Sequence, residues 1–246
     1  MKKPVKIVLT SLSILIGLVI VAGLFVFLVF RHEMKTMHAT ATSQVVDGVF
    51  AIKDSGVNMY LVRGDSGYVA FDAGQHADVI IAQINSLEID PAAVRAILLT
   101  HTDFDHIAAI PVMPHATVYI SDAEERLLNG TTPRSPIMNN KLSCAHQLVT
   151  DNQEMEIDGV SIKCLLTPGH TPGSMCYLVN GEYLFVGDSM GLLDGKVVPF
   201  VKFFNMDTEL QKASVKQLAG RSSARYIFTG HHGYTDNAPE AFHGIE

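Results

Sequence analysis

Four side chains able to hold a divalent metal fall within six residues: His101, Asp103, Asp105 and His106. They lie in Leu99-Thr100-His101-Thr102-Asp103-Phe104-Asp105-His106, where an apolar run ends. Imidazole together with carboxylate suits zinc, manganese or iron(II). Four such groups exceed what one tetrahedral ion with an open position needs, so the spacing points to two adjacent metals. A pair about 3.5–4 Å apart can activate water and polarise a substrate oxygen at once. On this segment alone, the bland reading is a polar turn that contains two histidines.

Three further segments repeat one arrangement: an apolar strand, then Gly or Thr, then a metal-competent side chain. Ser161–Leu166 leads into Thr167-Pro168-Gly169-His170-Thr171-Pro172-Gly173-Ser174. Tyr183–Gly187 ends at Asp188, and Tyr226–Gly230 ends at His231-His232. A sheet assembles a site from distant residues in this way, because the ends of neighbouring strands converge on one edge.

Over roughly residues 45–235 the chain resembles the metallo-β-lactamase fold superfamily, whose order is a His-x-His-x-Asp-His cluster, a histidine, a bridging aspartate and a final histidine. The resemblance implies an α+β fold, an αβ/βα four-layer sandwich of two packed sheets with helices on both outer faces. It also implies the ligand set. His101, Asp103 and His170 would hold one metal, Asp105, His106 and His231 the other, and Asp188 would bridge both. The implied cofactors are two divalent ions, zinc first, with manganese or iron as alternatives. Asp72, in Val69-Ala70-Phe71-Asp72-Ala73-Gly74, matches the family's early strand-end aspartate, which orients ligands. Of the neighbours His231 and His232, the family pattern of Gly followed by His selects His231.

The departure is Asp103, which stands where the family most often has its second histidine. A carboxylate there adds negative charge and favours harder ions. A single-metal enzyme built on Asp105, His106, Asp188 and His231 is therefore the alternative.

The implied reaction is hydrolysis of a carbonyl-type bond, with Asp105 or Asp188 assisting deprotonation of the attacking water. The Thr167–Ser174 segment is similar to that of glyoxalase II-type thioesterases. A small-molecule thioester, ester or lactone is the expected substrate. The rivals are a β-lactamase-type amide hydrolase and a membrane-tethered metal-binding or sensor domain without catalysis.

Ile7–Phe30 contains no charged residue over 24 positions. At 1.5 Å per residue this reaches about 36 Å, against a bilayer core of about 30 Å. Secretory apolar segments run about 7–15 residues, so this one reads as a transmembrane anchor, with cleavage near Ala39-Thr40-Ala41 as the alternative. Lys2, Lys3 and Lys6 precede the span, and Arg31 and Lys35 follow it. That bias places the amino terminus in the cytoplasm and the catalytic domain outside it. The expected organisation is residues 1–31 as cytoplasmic terminus and anchor, 32–44 as tether, and 45–246 as the hydrolase domain.

Of the chain's 18 Lys/Arg and 25 Asp/Glu, five basic and one acidic residue fall in residues 1–35; residues 36–246 hold 13 and 24, a net −11. An acidic domain lacks the basic footprint that a phosphate backbone requires, so no nucleic-acid partner is expected. Cys144, Cys164 and Cys176 give no disulfide framework and no zinc-knuckle spacing. Cys164 and Cys176 sit in apolar runs as small core residues, and Cys144 in a loop.

Short strands are expected at Val49–Lys53, Asn58–Val62, Tyr68–Asp72, Arg95–Leu99 and Thr117–Ile120. Helices are expected at Asp78–Leu87, at Asp122–Leu128, and at Asp207–Leu218 with a stop at Gly220. Two loops are candidates for substrate contact. Asn129–Gln147 contains Pro133, Pro136, Met138, Asn139, Asn140 and Lys141; Leu192–Met206 contains Val197, Val198, Pro199, Phe200, Phe203 and Phe204. The phenylalanines serve equally well as packing under the last helix. His76 reads as a solvated loop residue, His115 and His146 have no partner by spacing, and His243 lies in a disordered tail.

Overall fold

A computed structural model describes residues 3–134 and 140–245 of the chain. Pro136, Met138 and Asn139 of the first candidate loop lie outside the described residues, as does Lys2. Two compact units are present, residues 1–37 and 38–246. The first is one helix, α1 (Lys3–Met34). It is long and apolar enough to cross a membrane, and none of its Ile14–Met34 stretch is buried. Residues 32–34, read as tether, are its last turn.

The second unit opens with strands β1 (Ser43–Val46), β2 (Val49–Asp54), β3 (Val57–Arg63) and β4 (Tyr68–Phe71), followed by α2 (Ala77–Ser86) and β5 (Val94–Leu98). Then come α3 (Phe104–Ile107), β6 (Thr117–Ser121), α4 (Glu125–Leu128) and β7 (His146–Val149). These seven strands form one sheet in sequence order, antiparallel to β4 and parallel from β4 to β7. A second sheet is built from β8 (Glu154–Ile157), β9 (Val160–Leu166), β10 (Met175–Val179) and β11 (Tyr183–Gly187). A hairpin of β12 (Gly191–Leu193) and β13 (Lys196–Val198) leads to α5 (Thr208–Arg221). The chain ends with β14 (Tyr226–Thr229), β15 (Tyr234–Thr235) and α6 (Ala238–Phe242). β14 lies parallel to β11, and β15 pairs antiparallel with β14 at the edge, so the second sheet has the order β15-β14-β11-β10-β9-β8.

Side chains alternate between strand faces, and here both faces are buried. In β2–β5, Phe50, Ile52, Met59, Leu61, Ala70 and Ile97 face α2 and its neighbours. The intervening Tyr60, Val69, Phe71 and Leu98 face the other sheet, where they meet Ile162, Cys164, Tyr177, Phe185 and Phe228. On the far side of the second sheet, Leu165, Leu184, Val186 and Ile227 meet Val215 and Leu218 of α5 and Ala241 of α6. The result is the expected four layers. At the sheet–sheet seam Phe71 stacks on Phe185 at 4.1 Å, and Phe185 on Phe228 at 4.9 Å. Each such buried ring contributes about 2–3 kcal/mol.

Three expectations are corrected. The helix placed at Asp122–Leu128 is a turn followed by four residues of helix, because Ser121 Oγ accepts the Glu124 N–H and donates to the Gly173 carbonyl, holding the chain tight there. α5 runs through Gly220 to Arg221, whose guanidinium is anchored on Asp151 and Asn152 at 2.9 and 2.7 Å. The tail around His243 is not disordered: α6 caps on Asn237, and Lys196 pairs with Glu240.

Candidate metal centre

The parallel pairs β4–β5 and β11–β14 bring four strand ends to the same edge of the sandwich, with Phe71 level with Leu98 and Gly187 with Thr229. β4 turns into Asp72, which takes a left-handed backbone (φ 62°) that aspartate tolerates better than branched residues do. β5 runs into the loop of His101 and Asp103, and α3 presents Asp105 and His106. β9 leads to His170, β11 to Asp188 and β14 to His231. Cross-sheet bonds fix the two halves: Tyr60 OH donates to the Thr229 carbonyl at 2.8 Å and Tyr177 OH to that of Leu99 at 2.7 Å.

All seven sequence-selected residues are brought together. His101, Asp103 and His170 form one corner, with His170 Nε2 3.2 Å and His101 Nε2 3.7 Å from Asp103 Oδ2. Asp105, His106 and His231 form the other, with His231 Nε2 3.2 Å and His106 Nε2 3.8 Å from Asp105 Oδ2. Asp188 stands between them. Its Oδ2 lies 3.7 Å from His170 Nε2 and 3.4 Å from His231 Nε2, and its Oδ1 3.6 Å from His106 Nε2. His101 Nε2, His106 Nε2 and Asp188 Oδ1 are buried and make no hydrogen bond. Buried polar atoms without partners are costly. Three of them facing one small space, in a His/Asp set, fit a divalent cation.

Each histidine has its other ring nitrogen engaged. His106 Nδ1 meets Asp72 Oδ2 at 2.8 Å, His231 Nδ1 the Gly56 carbonyl at 2.7 Å, and His170 Nδ1 Asn205 Oδ1 at 3.2 Å. His101 Nδ1 meets Thr100 Oγ1 at 3.0 Å, and that hydroxyl directs its own hydrogen to Asp72. Each Nδ1 thus faces an oxygen behind the ring, which leaves Nε2 aimed at the centre as the nitrogen that would ligate a cation once any proton on it is displaced.

The charges are tightly coupled. Burial opposes ionisation of Asp188, yet His231 and His106 outweigh it and hold the carboxyl well below its usual range. Burial likewise disfavours a charged His231, but Asp188 and Asp105 lift it to about 10. His101 is pushed well below its ordinary value by burial and by the neighbouring His106 and His170. Asp105, opposed by burial and favoured by His106 and His231, falls to about 2. Asp103 is held low despite burial, chiefly by Arg134.

Among the described residues His232 joins none of the His/Asp groups of the centre; its ring lies 5.8 Å from that of Phe200, and burial lowers it to about 4. Asp72 is placed where the resemblance implies: its Oδ1 accepts the Thr100 N–H at 2.8 Å, and its Oδ2 faces His106. His76 is not simply solvated; its Nδ1 pairs with the buried Asp54 at 2.8 Å. His146 has a partner that spacing did not reveal, Glu125 Oε2 at 2.8 Å, because β7 lies beside α4 only in the fold. His115 is exposed. The three cysteines are free, Cys164 and Cys176 in the core.

In the two candidate loops, Asn140 donates to Asp103 Oδ1 at 3.0 Å, while Val197 joins the core. Phe200 is buried against His170, His231 and His232 at ring distances of 5.2–5.8 Å, so it walls the centre. Phe203 and Phe104 are about two-thirds exposed (67 % and 65 %).

Several contributors escaped the sequence reading. Glu124, Arg134, Asn205 and Gln211 all brace ligand loops; Gln211 Nε2 donates to the Asp188 carbonyl at 3.1 Å and to Asn205 Oδ1 at 3.0 Å. Only Glu124 carried a signal, the Ser-x-x-Glu spacing from Ser121 that marks a capping box.

A family model described as the metallo-beta-lactamase superfamily matches residues 52–231. The probable polyketide biosynthesis zinc-dependent hydrolase BaeB of Bacillus velezensis is 33 % identical over 65 % of this chain and 60 % of its own length. The uncharacterized protein YobT of Bacillus subtilis is 31 % identical over 68 % of this chain and 79 % of its own. Among solved structures, the Cronobacter sakazakii metallo-β-lactamase with a HARLDQ motif superposes with a TM-score of 0.63 at 20 % identity, covering 80 % of each chain. That likeness concerns the fold.

Proposed function

The chain belongs to the metallo-beta-lactamase superfamily of metal-dependent hydrolases, and from that premise we propose that it is a membrane-anchored enzyme that hydrolyses a thioester, ester or lactone. The observation that carries this is the convergence of four Nε2 atoms and three carboxylates on one buried space, each imidazole oriented from behind. Zinc is the favoured ion, in line with a relative named a zinc-dependent hydrolase. His101, Asp103 and His170 would hold one ion, Asp105, His106 and His231 a second, with Asp188 shared.

Bound divalent metal would supply an activated water and an electrophile for the substrate's carbonyl oxygen. The chain's residues supply the rest. Asp105, one-third exposed at 33 %, is the carboxylate able to pass a proton to solvent, whereas Asp188 at 5 % is walled in. Phe200 closes the inner wall, and the exposed Phe104, Phe203 and Met206 offer apolar surface for an acyl chain. The turn containing His170 supports a thioester first, through its similarity to glyoxalase II-type enzymes. α1 supports the anchor, and the basic residues ahead of it support an amino terminus inside and a hydrolase domain, residues 45–246, outside.

The test uses the full chain in detergent, zinc-loaded, against panels of acyl thioesters, esters and lactones. Asp105→Ala and Asp188→Asn should abolish hydrolysis of the accepted class while circular dichroism stays unchanged. Zinc uptake without hydrolysis of any class would instead favour a tethered metal-binding domain.

A further inference from the structure

The two corners of the centre differ in one respect that the family pattern does not contain. Arg134 directs its guanidinium at Asp103: Nε donates to Oδ1 and Nη2 to Oδ2, both at 2.7 Å. Nη2 also donates to the Phe204 carbonyl at 2.7 Å and lies 3.5 Å from His170 Nε2. The side chain is only 10 % exposed. Asn140 Nδ2 adds a further donor to Asp103 Oδ1 at 3.0 Å and is steadied by Thr102 Oγ1 at 2.9 Å. The oxygen facing His170 and His101 is therefore the same one that the guanidinium holds.

Guanidinium is permanently charged, and its planar fork matches a carboxylate in two places at once. At this corner it neutralises Asp103 and brings a positive charge close to where a cation must sit. Among the described residues, neither Asp105 nor Asp188 is paired with a lysine or arginine, so the other corner keeps its negative charge for an incoming ion.

We propose that Arg134 is an internal monocation that competes with divalent metal for Asp103, so that the two corners load in order. The Asp105–His106–His231 corner, with Asp188, fills first. The His101–Asp103–His170 corner fills only as the Arg134 fork releases Asp103 Oδ2. The inference rests on the metal-centre reading above and assigns a regulator to one of its two ions.

The test is zinc binding by the metal-stripped full chain in detergent, read by competition with a chromophoric chelator. The unmodified chain should take up one ion tightly and a second at least about tenfold more weakly, the range over which groups behind a ligand tune affinity. Arg134→Gln should tighten the second step by about tenfold or more and leave the first unchanged. Arg134→Lys, which keeps the charge and loses the fork, should fall between them, and it stands in for the first variant should that one unfold. Asp103→Asn should remove the second step alone. A second step that Arg134→Gln leaves unchanged or weakens overturns the competition, since Arg134 would then only orient Asp103. No zinc uptake by any of the chains overturns the metal-centre reading itself, and the inference with it.

Discussion

Glu124 Oε1 accepts both the N–H and the hydroxyl of Thr102 at 2.8 Å, and Oε2 accepts the Thr171 hydroxyl at 2.8 Å. One buried carboxylate thus ties the loop of His101–His106 to the turn of His170. Burial raises its pKa, and the bonds from Thr171 and Thr102 work against that rise. Glu124→Ala would leave the Thr102 N–H without its acceptor and take an acceptor from the Thr102 and Thr171 hydroxyls, at a cost of about 3 kcal/mol. Glu124→Gln keeps an acceptor for Thr102 and should cost about 1 kcal/mol. Urea denaturation of the two variants checks the ranking; equal losses would show that the carboxylate is not the link.

Asp72 holds His106 through Nδ1 and also receives Thr100, the residue behind His101. Asp72→Ala should weaken zinc binding about 10–100-fold, with Asp72→Asn nearer the unmodified chain. A chelator competition reads the change directly. Unaltered affinity would mean that the rings are held by packing alone.

Gly230 lets the backbone pass beneath the centre. A Cβ there would stand 2.5 Å from Asp188 Oδ1 and 3.0 Å from His106 Cε1. Gly230→Ala should displace Asp188, with a zinc-affinity loss of about tenfold or more and a stability loss of about 1–3 kcal/mol. Normal zinc affinity in this variant would contradict the position assigned to Asp188.

The buried thiols contribute to the loss of stability at alkaline pH. Burial pushes Cys164 up to about 12 and Cys176 up to about 11, from the ordinary 9.0. Below pH 9 both states keep these protons and the thiols' contribution to stability is fully present. Above it the unfolded chain loses protons that the native chain retains, so stability declines as pH rises. Melting temperature of the metal-free chain should already decline between about pH 6.5 and 10, as the lifted His231 loses its proton, and Cys176→Ala should reduce only the further loss above about pH 9. In the native state a thiol reagent should modify the partly exposed Cys144 first, and Cys164 and Cys176 only after unfolding.

Much of the fold was legible because burial on both faces leaves continuous apolar strands, and Gly or Asp at their ends marks the turns. The strands at 49–53, 58–62 and 117–120 lie within one residue of their boundaries in the structure. α4 was overestimated because Glu124 looks like a helix-start acid, whereas its carboxylate turns inward to loops 22 and 47 residues away. Gly220 misled because helix propensity is a weak prior that the anchored Arg221 overrides.

Composition and spacing select which residue types can meet at one sheet edge. Metal chemistry admits few side chains, and each of them follows a recognisable strand end, so the candidate set and the four-layer architecture follow from local pattern and resemblance. How those residues are held follows from the packing of distant segments. That Asp103 is gripped by Arg134, that Asn205 and Gln211 join Asp188 to His170, and that His231 reaches the carboxylates depend on contacts between segments 23 to 35 residues apart or on a ring's direction. No periodicity records such contacts, because a hydrogen bond between loops is set by where the packed sheets place their ends.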